Sequence, residues 1–159
     1  MKKKFPFKSI LIVCSVNTAR SRMAEGFLKD FFSRNNLNIE VKSGGISSHA
    51  RDGMLISMDA KLAMNEIGIH LSDTSLSIDL KKRPELIEEA DLILTLTEKH
   101  KKEIYNVIEE DNKLICTVKE FGGSSGDIED PSMSELEGFR KARDEIIDYL
   151  MKGIKKYSL

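Results

Sequence analysis

The apolar run Ile10-Leu11-Ile12-Val13 ends on Cys14, and the chain passes within a few residues into a segment of helical spacing. In that segment Met23, Phe27 and Phe31 recur beside Ala24, Leu28 and Phe32. A short, unbroken apolar run reads as a strand covered on both faces, and the longer period reads as a helix. A strand that feeds a helix through a tight loop belongs to a unit whose strands run parallel and whose crossovers are right-handed. The loop itself, Cys14 to Ser21, lies where backbone N–H groups converge and the helix dipole favours negative charge.

The rest of the chain continues the alternation. Roughly Arg20 to Asn35 is predicted as the first helix. Ile39-Glu40-Val41 alternates as a short second strand, which Ser43-Gly44-Gly45 is expected to end with a bend. The next helix runs from about Ile56 to Glu66, with Met58, Leu62 and Ile67 inward, Gly68 as its C-cap and Ile69 beyond. Leu71 to Leu80 is loop-like, and Pro84 opens a short helix, Glu85 to Ala90. Asp91 to Leu96 reads as a buried strand, Glu98 to Ile108 as a charged helix, and Lys113 to Val118 as another buried strand. Phe121 to Asp130 is a loop rich in Gly, Ser and Asp. Ser134 to about Lys155 forms the last helix, with Leu136, Phe139, Ile146, Ile147, Leu150 and Ile154 on one face. Methionines at helical spacing are expected in the core. The expected fold is therefore α/β, a parallel sheet with helices on both faces, in one domain over 1–159. Such sheets bind ligands at the carboxyl ends of their strands. The Cys14 loop and the Phe121–Pro131 loop are thus expected on the same edge.

Composition removes several classes. The net charge of -1 argues against a strongly basic nucleic-acid binder, and no apolar run approaches the ~20 residues of a membrane span. Lys2, Lys3 and Lys4 read as a solvated lead-in, since the apolar run after them is too short for a signal-peptide core. The two cysteines, Cys14 and Cys116, are too few for a disulfide framework or a four-cysteine zinc site and fit a reducing cytoplasm. His49, His70 and His100 show no metal-ligand spacing. Neither a metal nor a cofactor is expected, and neither nucleic acid nor membrane is an expected partner.

A cysteine attacks as its thiolate, which N–H groups, a helix N-terminus and a neighbouring cation favour. The same donors suit phosphoryl oxygens, and Arg20 can clamp two of them. Phosphoryl transfer rests mostly on positioning and charge stabilisation. Cys14 is the candidate nucleophile, and Ser21 can donate to its sulfur. Asn17 suits a left-handed position in the loop. A departing group needs an acid, and Asp130 before the stiffening Pro131 is the best candidate, ahead of Asp127 and Glu129. Gly122, Gly123 and Gly126 can let that loop close. His49 and Arg51 are expected near the rim, in an exposed polar loop.

Cys14, Arg20, Ser21, Asp130 and Pro131, in this order and spacing, resemble the low-molecular-weight protein tyrosine phosphatase family. Met23-Ala24-Glu25-Gly26, Ser43-Gly44-Gly45, Gly68-Ile69, Asp91 to Thr95 and Asp127 to Pro131 are similar to its landmarks, so nearly the whole chain takes part. The resemblance implies a three-layer Rossmann-like fold with a four-stranded parallel sheet. It also implies a metal-free, two-step reaction on phosphorylated protein side chains. Cys14 attacks phosphorus and Asp130 protonates the leaving atom. Water, with Asp130 as base, then hydrolyses the phosphocysteine. Ser15, Val16, Asn17, Thr18, Ala19 and Ser21 would bind the phosphoryl oxygens, or inorganic phosphate and similar oxyanions, and Ser43 would support the loop. Departures are informative. Val16 stands at a frequent Gly, Ala19 at a frequent second Cys, and Arg22 at a common Pro. Asp73 stands where a supporting His is usual, so the support of Asn17 is expected to be incomplete. Ser132 and Met133 replace aromatics that pack on phosphotyrosine. Thr18 resembles the protein arginine phosphatases of the family, as do Thr95-Leu96-Thr97 with His100-Lys101. The reading leans to phosphoarginine, with phosphotyrosine beside it. Two other functions stay open: a thiol-linked arsenate reductase, for which Cys116 is the only other thiol, and a catalytically weak phosphate-binding module, motivated by Val16 and Asp73.

Overall fold

The strands β1 (Ser9–Cys14), β2 (Glu40–Gly45), β3 (Leu92–Thr95) and β4 (Leu114–Thr117) form one sheet in the order β2-β1-β3-β4. Every pairing is parallel, with Ile12 opposite Ser43 on one side and Leu94 on the other, and Leu94 opposite Cys116. The computed structural model describes residues 4–108 and 113–158; Lys2 and Lys3 of the basic lead-in lie outside them.

Alternation along β1 divides the core. Ile10, Ile12 and Cys14 join Met23, Leu28 and Phe32 of α1 (Arg20–Arg34) and Phe139 and Ile146 of α6 (Glu135–Ser158). The helices α2 (Met58–Asn65) and α5 (Val118–Phe121) belong to the same layer. Leu11 and Val13 face the other layer, where α3 (Pro84–Glu89) and α4 (Glu98–Val107) supply Ile87 and Ile104. Full burial of such an aliphatic side chain stabilises the fold by about 1.5–3 kcal/mol. The chain leaves β1 for β2 on one side and returns to β3 on the other. The strand order thus switches at the carboxyl end of β1, where Cys14 stands.

Five details depart from the sequence reading. First, β2 does not bend at Ser43-Gly44-Gly45 but continues through it, with Gly44 and Gly45 opposite Val13 and Cys14. These glycines serve close approach: a Cβ on Gly45 would stand 2.7 Å from the Ser15 carbonyl oxygen, and one on Gly44 2.5 Å from Leu80. Second, Met58, Leu62 and Ile67 face outward, Met58 with 63 % exposure. The buried face of α2 is Ala60, Ala63 and Met64, small enough to bring α6 so close that Arg143 Nη1 donates to the Ala63 carbonyl at 2.7 Å. Third, β4 is an edge strand, so Leu114 is exposed and Cys116 half-buried. Fourth, the segment read as the end of β4 and the start of a loop contains α5. Its capping box pairs the Glu120 N–H with Thr117 Oγ1 at 3.0 Å and the Thr117 N–H with Glu120 Oε1 at 2.8 Å. Fifth, Met23 and Met64 are core residues, while Met54, Met58, Met133 and Met151 are exposed. Among the described residues no helix is long and apolar enough to cross a membrane.

Candidate active site

Helix α1 starts without help from its own side chains. Its N-cap, Ala19, has no capping oxygen, and its first turn holds no acidic residue. Its leading N–H groups and dipole are therefore available to an anion. The loop before it turns its carbonyls away: Cys14 O accepts from Ile46 N at 3.0 Å, Ser15 O from Ser47 N at 3.1 Å and Thr18 O from Ser57 N at 2.9 Å. The inner side of the loop is thus left to its N–H groups. Asn17 sits at φ 64°, the left-handed region that Asn tolerates, and its N–H lies 3.2 Å from Cys14 Sγ.

A directed set of hydrogen bonds holds this shape. Asn17 Nδ2 donates to Ser21 Oγ at 2.8 Å and to Ser43 Oγ at 2.9 Å. A hydroxyl has one proton to give. Having accepted from Asn17, Ser21 Oγ lies 2.9 Å from Cys14 Sγ, and Ser43 gives its own proton to Glu25 Oε1 at 2.6 Å. Asn17 Oδ1 accepts from Ile78 N at 3.0 Å. Asn17 is therefore bonded through both ends of its amide, and its support is complete without Asp73. Asp73 is exposed and pairs with Lys61 instead, which holds its carboxyl below the usual range. Sequence reasoning did not foresee Ile78 N or Glu25 in this role, because neither contact is local in the chain. Behind the loop, Arg22 pairs with Glu25 at 3.4 Å and donates to Ser75 Oγ at 2.5 Å.

The loop after α5 arrives on the same edge as Cys14. Ile128 N donates to Leu96 O at 2.9 Å, just past β3. The buried Arg20 guanidinium donates through Nη1 to Ile128 O at 2.7 Å, and its Nη2 stands 4.0 Å from Asp130 Oδ2. Its remaining N–H groups stay available to another acceptor. The Asp130 side chain is 57 % exposed, and its Oδ1 accepts from Ser132 N at 3.0 Å. Asp127 is engaged elsewhere, accepting from Glu98 N at the start of α4 at 2.8 Å, and Glu129 is exposed.

A cavity of about 130 Å³ is lined by Cys14, Ser15, Val16, Thr18, Ala19 and Arg20, with Ser57, Asp130, Ser132 and Phe139 around it. Sequence reasoning missed Ser57 and Phe139, which reach the site only through the packing of the α2 approach and α6. A larger groove of about 660 Å³ runs along α6 beside Pro131. Glu129, Glu137, Asp144 and Glu145 line it, so it repels the anion that the Cys14 cavity suits. His49 and Arg51 are exposed and line neither. His100, not singled out as a site residue, is buried against the loop with Nε2 2.8 Å from Ser15 Oγ.

Cys116 stands two strands from Cys14 across the sheet. At roughly 4.8 Å per strand this exceeds the ~7 Å Cα separation that a disulfide bridges. Burial also pushes the Cys116 thiol up to about 11.

Residues 9–157 match the model of the low molecular weight phosphotyrosine protein phosphatase family. The chain is 30 % identical over 156 residues to a protein-arginine-phosphatase of Bacillus subtilis, covering 92 % of this chain and 95 % of that protein. It is 38 % identical over 138 residues to a protein-arginine-phosphatase of Geobacillus stearothermophilus, covering 86 % and 87 %. The crystal structure of a low molecular weight protein tyrosine phosphatase from T. tengcongensis superposes with a TM-score of 0.85 at 34 % identity, over 93 % of this chain and 98 % of that one.

Proposed function

The chain belongs to the low molecular weight phosphotyrosine protein phosphatase family, and from that premise we propose that Cys14 is the nucleophile of a phosphatase acting on phosphorylated protein side chains. The observation that carries this reading is the cavity floor: Cys14 Sγ lies 2.9 Å from Ser21 Oγ and faces the Asn17 N–H at 3.2 Å. Both contacts sit on the sulfur that attacks phosphorus and later departs from it. The phosphoryl oxygens would lie among the N–H groups of Ser15 to Ala19, with the free N–H groups of Arg20 on two of them. Asp130 at the cavity mouth protonates the departing atom. Once it has left, Asp130 draws a proton from the water that cleaves the phosphocysteine. Inorganic phosphate, the product, binds in the same cradle.

Among side chains, phosphoarginine is favoured over phosphotyrosine. Thr18 puts a short hydroxyl side chain in the cavity wall, and Ser132 and the exposed Met133 follow Asp130-Pro131 where a phosphotyrosine ring would be stacked. The two full-length relatives above carry arginine phosphatase in their names. Wild-type kinetics on phosphoarginine and phosphotyrosine, measured side by side, test the order. Thr18→Ile is expected to shift the ratio toward phosphotyrosine by roughly tenfold, the worth of about 1.4 kcal/mol of lost side-chain fit; an unchanged ratio removes the preference. For the chemistry itself, para-nitrophenyl phosphate turnover should vanish in Cys14→Ser. Phosphate binding without turnover in the wild type would instead make the chain a binding module.

A further inference from the structure

We infer that His100 is a positioning residue that makes Ser15 a hydrogen-bond donor to the phosphoryl group; this rests on the phosphatase reading above. His100 stands in the first turn of α4, its N–H held by the N-cap Thr97 Oγ1 at 3.2 Å. Because β3 lies beside β1, the start of α4 falls next to the Cys14 loop. The ring is 1 % exposed, and Nε2 meets Ser15 Oγ at 2.8 Å. Ser15 in turn lines the cavity.

The direction of that bond follows from the other ring nitrogen. Nδ1 is buried and has no hydrogen-bond partner among the described residues. The charged groups acting on the ring are Arg20, Lys99, Asp127 and Asp130, and burial together with the Arg20 charge pushes its pKa down to about 4. The imidazole is therefore neutral near pH 7 and carries one proton. On Nδ1 that proton would be a buried, unpaired donor, the rarer kind of orphan group. On Nε2 it is satisfied by Ser15 Oγ. The hydroxyl then accepts from His100 and turns its own proton into the cavity, toward an anion. With the opposite tautomer Ser15 would spend its proton on the ring and present only lone pairs to the phosphoryl oxygens. Ser21, the other hydroxyl of the loop, likewise accepts from a fixed neighbour, Asn17 Nδ2, at 2.8 Å.

A double-mutant cycle tests this with inorganic vanadate and phosphate as competitive inhibitors and para-nitrophenyl phosphate as substrate. Ser15→Ala and His100→Phe should each weaken oxyanion binding and lower kcat/KM by roughly tenfold, as expected for one donor to a charged group. The double variant should lose no more than either alone. His100→Gln, whose amide can donate from a similar position, should recover most of the loss. In the wild type, nitrogen NMR should find the proton on Nε2, without titration between pH 5 and 8. Additive losses, unaltered oxyanion affinity in His100→Phe, or a proton on Nδ1, such as one shared with the buried Glu103 Oε1 one turn along, would overturn the assignment. A wild type that binds vanadate but turns over nothing defeats the phosphatase reading, while a coupled Ser15–His100 cycle on vanadate affinity would leave this one standing.

Discussion

Asp130 differs from the other residues of the proposed machinery in being exposed. Cys14, Asn17, Arg20 and Ser21 are buried and committed to one geometry, whereas the polar contacts of the Asp130 carboxyl among the described residues are with Ser132 N and the edge of the Arg20 guanidinium. Such a carboxyl can swing toward a leaving atom without breaking the loop, which is held at Ile128 on both sides of its peptide by Leu96 and Arg20. Asp130→Asn should leave the fold intact and lower turnover by roughly a hundredfold or more for a poor leaving group. For a good leaving group the loss should be much smaller, and initial rates across a series of aryl phosphates read the difference. Equal losses across the series would exclude Asp130 as the acid. At this scale chemistry and spacing single out Cys14, Arg20 and the Asp130-Pro131 pair, and the fold brings Cys14, Arg20 and Asp130 to one cavity. The sequence named His100 only in the run Thr95 to Lys101 that resembles the arginine phosphatases and gave it no place in the site, because a histidine in a charged helix looks like any solvated residue until the strand order brings that helix beside the loop. Asp73 misled in the opposite sense: standing where a supporting His is usual, it suggested incomplete support for Asn17, whose amide is instead fully bonded to Ser21, Ser43 and the Ile78 N–H.

Among the elements, β2 carries the most consequence for its size. Two adjacent glycines end it, and they look to opposite faces of the sheet, one toward Leu80 and the other toward the loop backbone at Ser15 and Val16. The same methyl group added to each should therefore act differently. Gly44→Ala presses on the Leu80 side chain and should cost about 1–3 kcal/mol of stability, with activity per folded molecule retained. Gly45→Ala meets backbone at 2.7–3.0 Å and must displace the loop itself. A displacement approaching 1 Å in such a cradle costs roughly a hundredfold in rate. Thermal unfolding and kcat/KM, measured on both variants, separate the two effects; loss of activity from Gly44→Ala alone would contradict the division. A Ser-Gly-Gly sequence reads as a turn because glycine lacks strand propensity, and only the neighbour across the gap explains why a strand keeps it. The same limit hid the inner face of α2, where alanines pack because α6 is close, and the larger Met58 and Leu62 are turned out. The unbroken runs of β1 and β3 and the long amphipathic α6 were plain, since their burial on both faces, or along one whole stripe, leaves a pattern that needs no partner to interpret.

For the molecule as a whole, acid should be the natural denaturant. The His100 pKa is about 4 in the fold against an ordinary 6.5, so the unfolded chain binds the extra proton between those values and stability rises with pH across that window. The effect is fully present above pH 6.5, is lost as pH falls toward 4, and amounts to roughly 3 kcal/mol. Glu66, which joins α2 to Arg140 and Arg143 of α6, is held down at about 2, chiefly by the Arg140 bond. Its contribution is present above pH 4.5 and fades only below that, as pH falls toward 2. Denaturant midpoints taken between pH 7 and pH 4 should therefore fall in the wild type and fall much less in His100→Gln; parallel slopes would show that His100 carries no such penalty.

The distance between the two cysteines has a consequence for the enzyme's history rather than its rate. Ala19 offers no thiol beside Cys14, and Cys116 lies two strands off. Peroxide that reaches Cys14 thus creates a sulfenic acid that nothing in its own chain can trap as a disulfide, and further oxidation runs on to forms that ordinary thiols do not reverse. Damage would then be a matter of how long rescue is delayed: dithiothreitol added at once should restore activity, and the recoverable fraction should shrink steadily with waiting time. The molecule behaves as a fuse and not as a switch, keeping a cumulative record of the oxidant it has met.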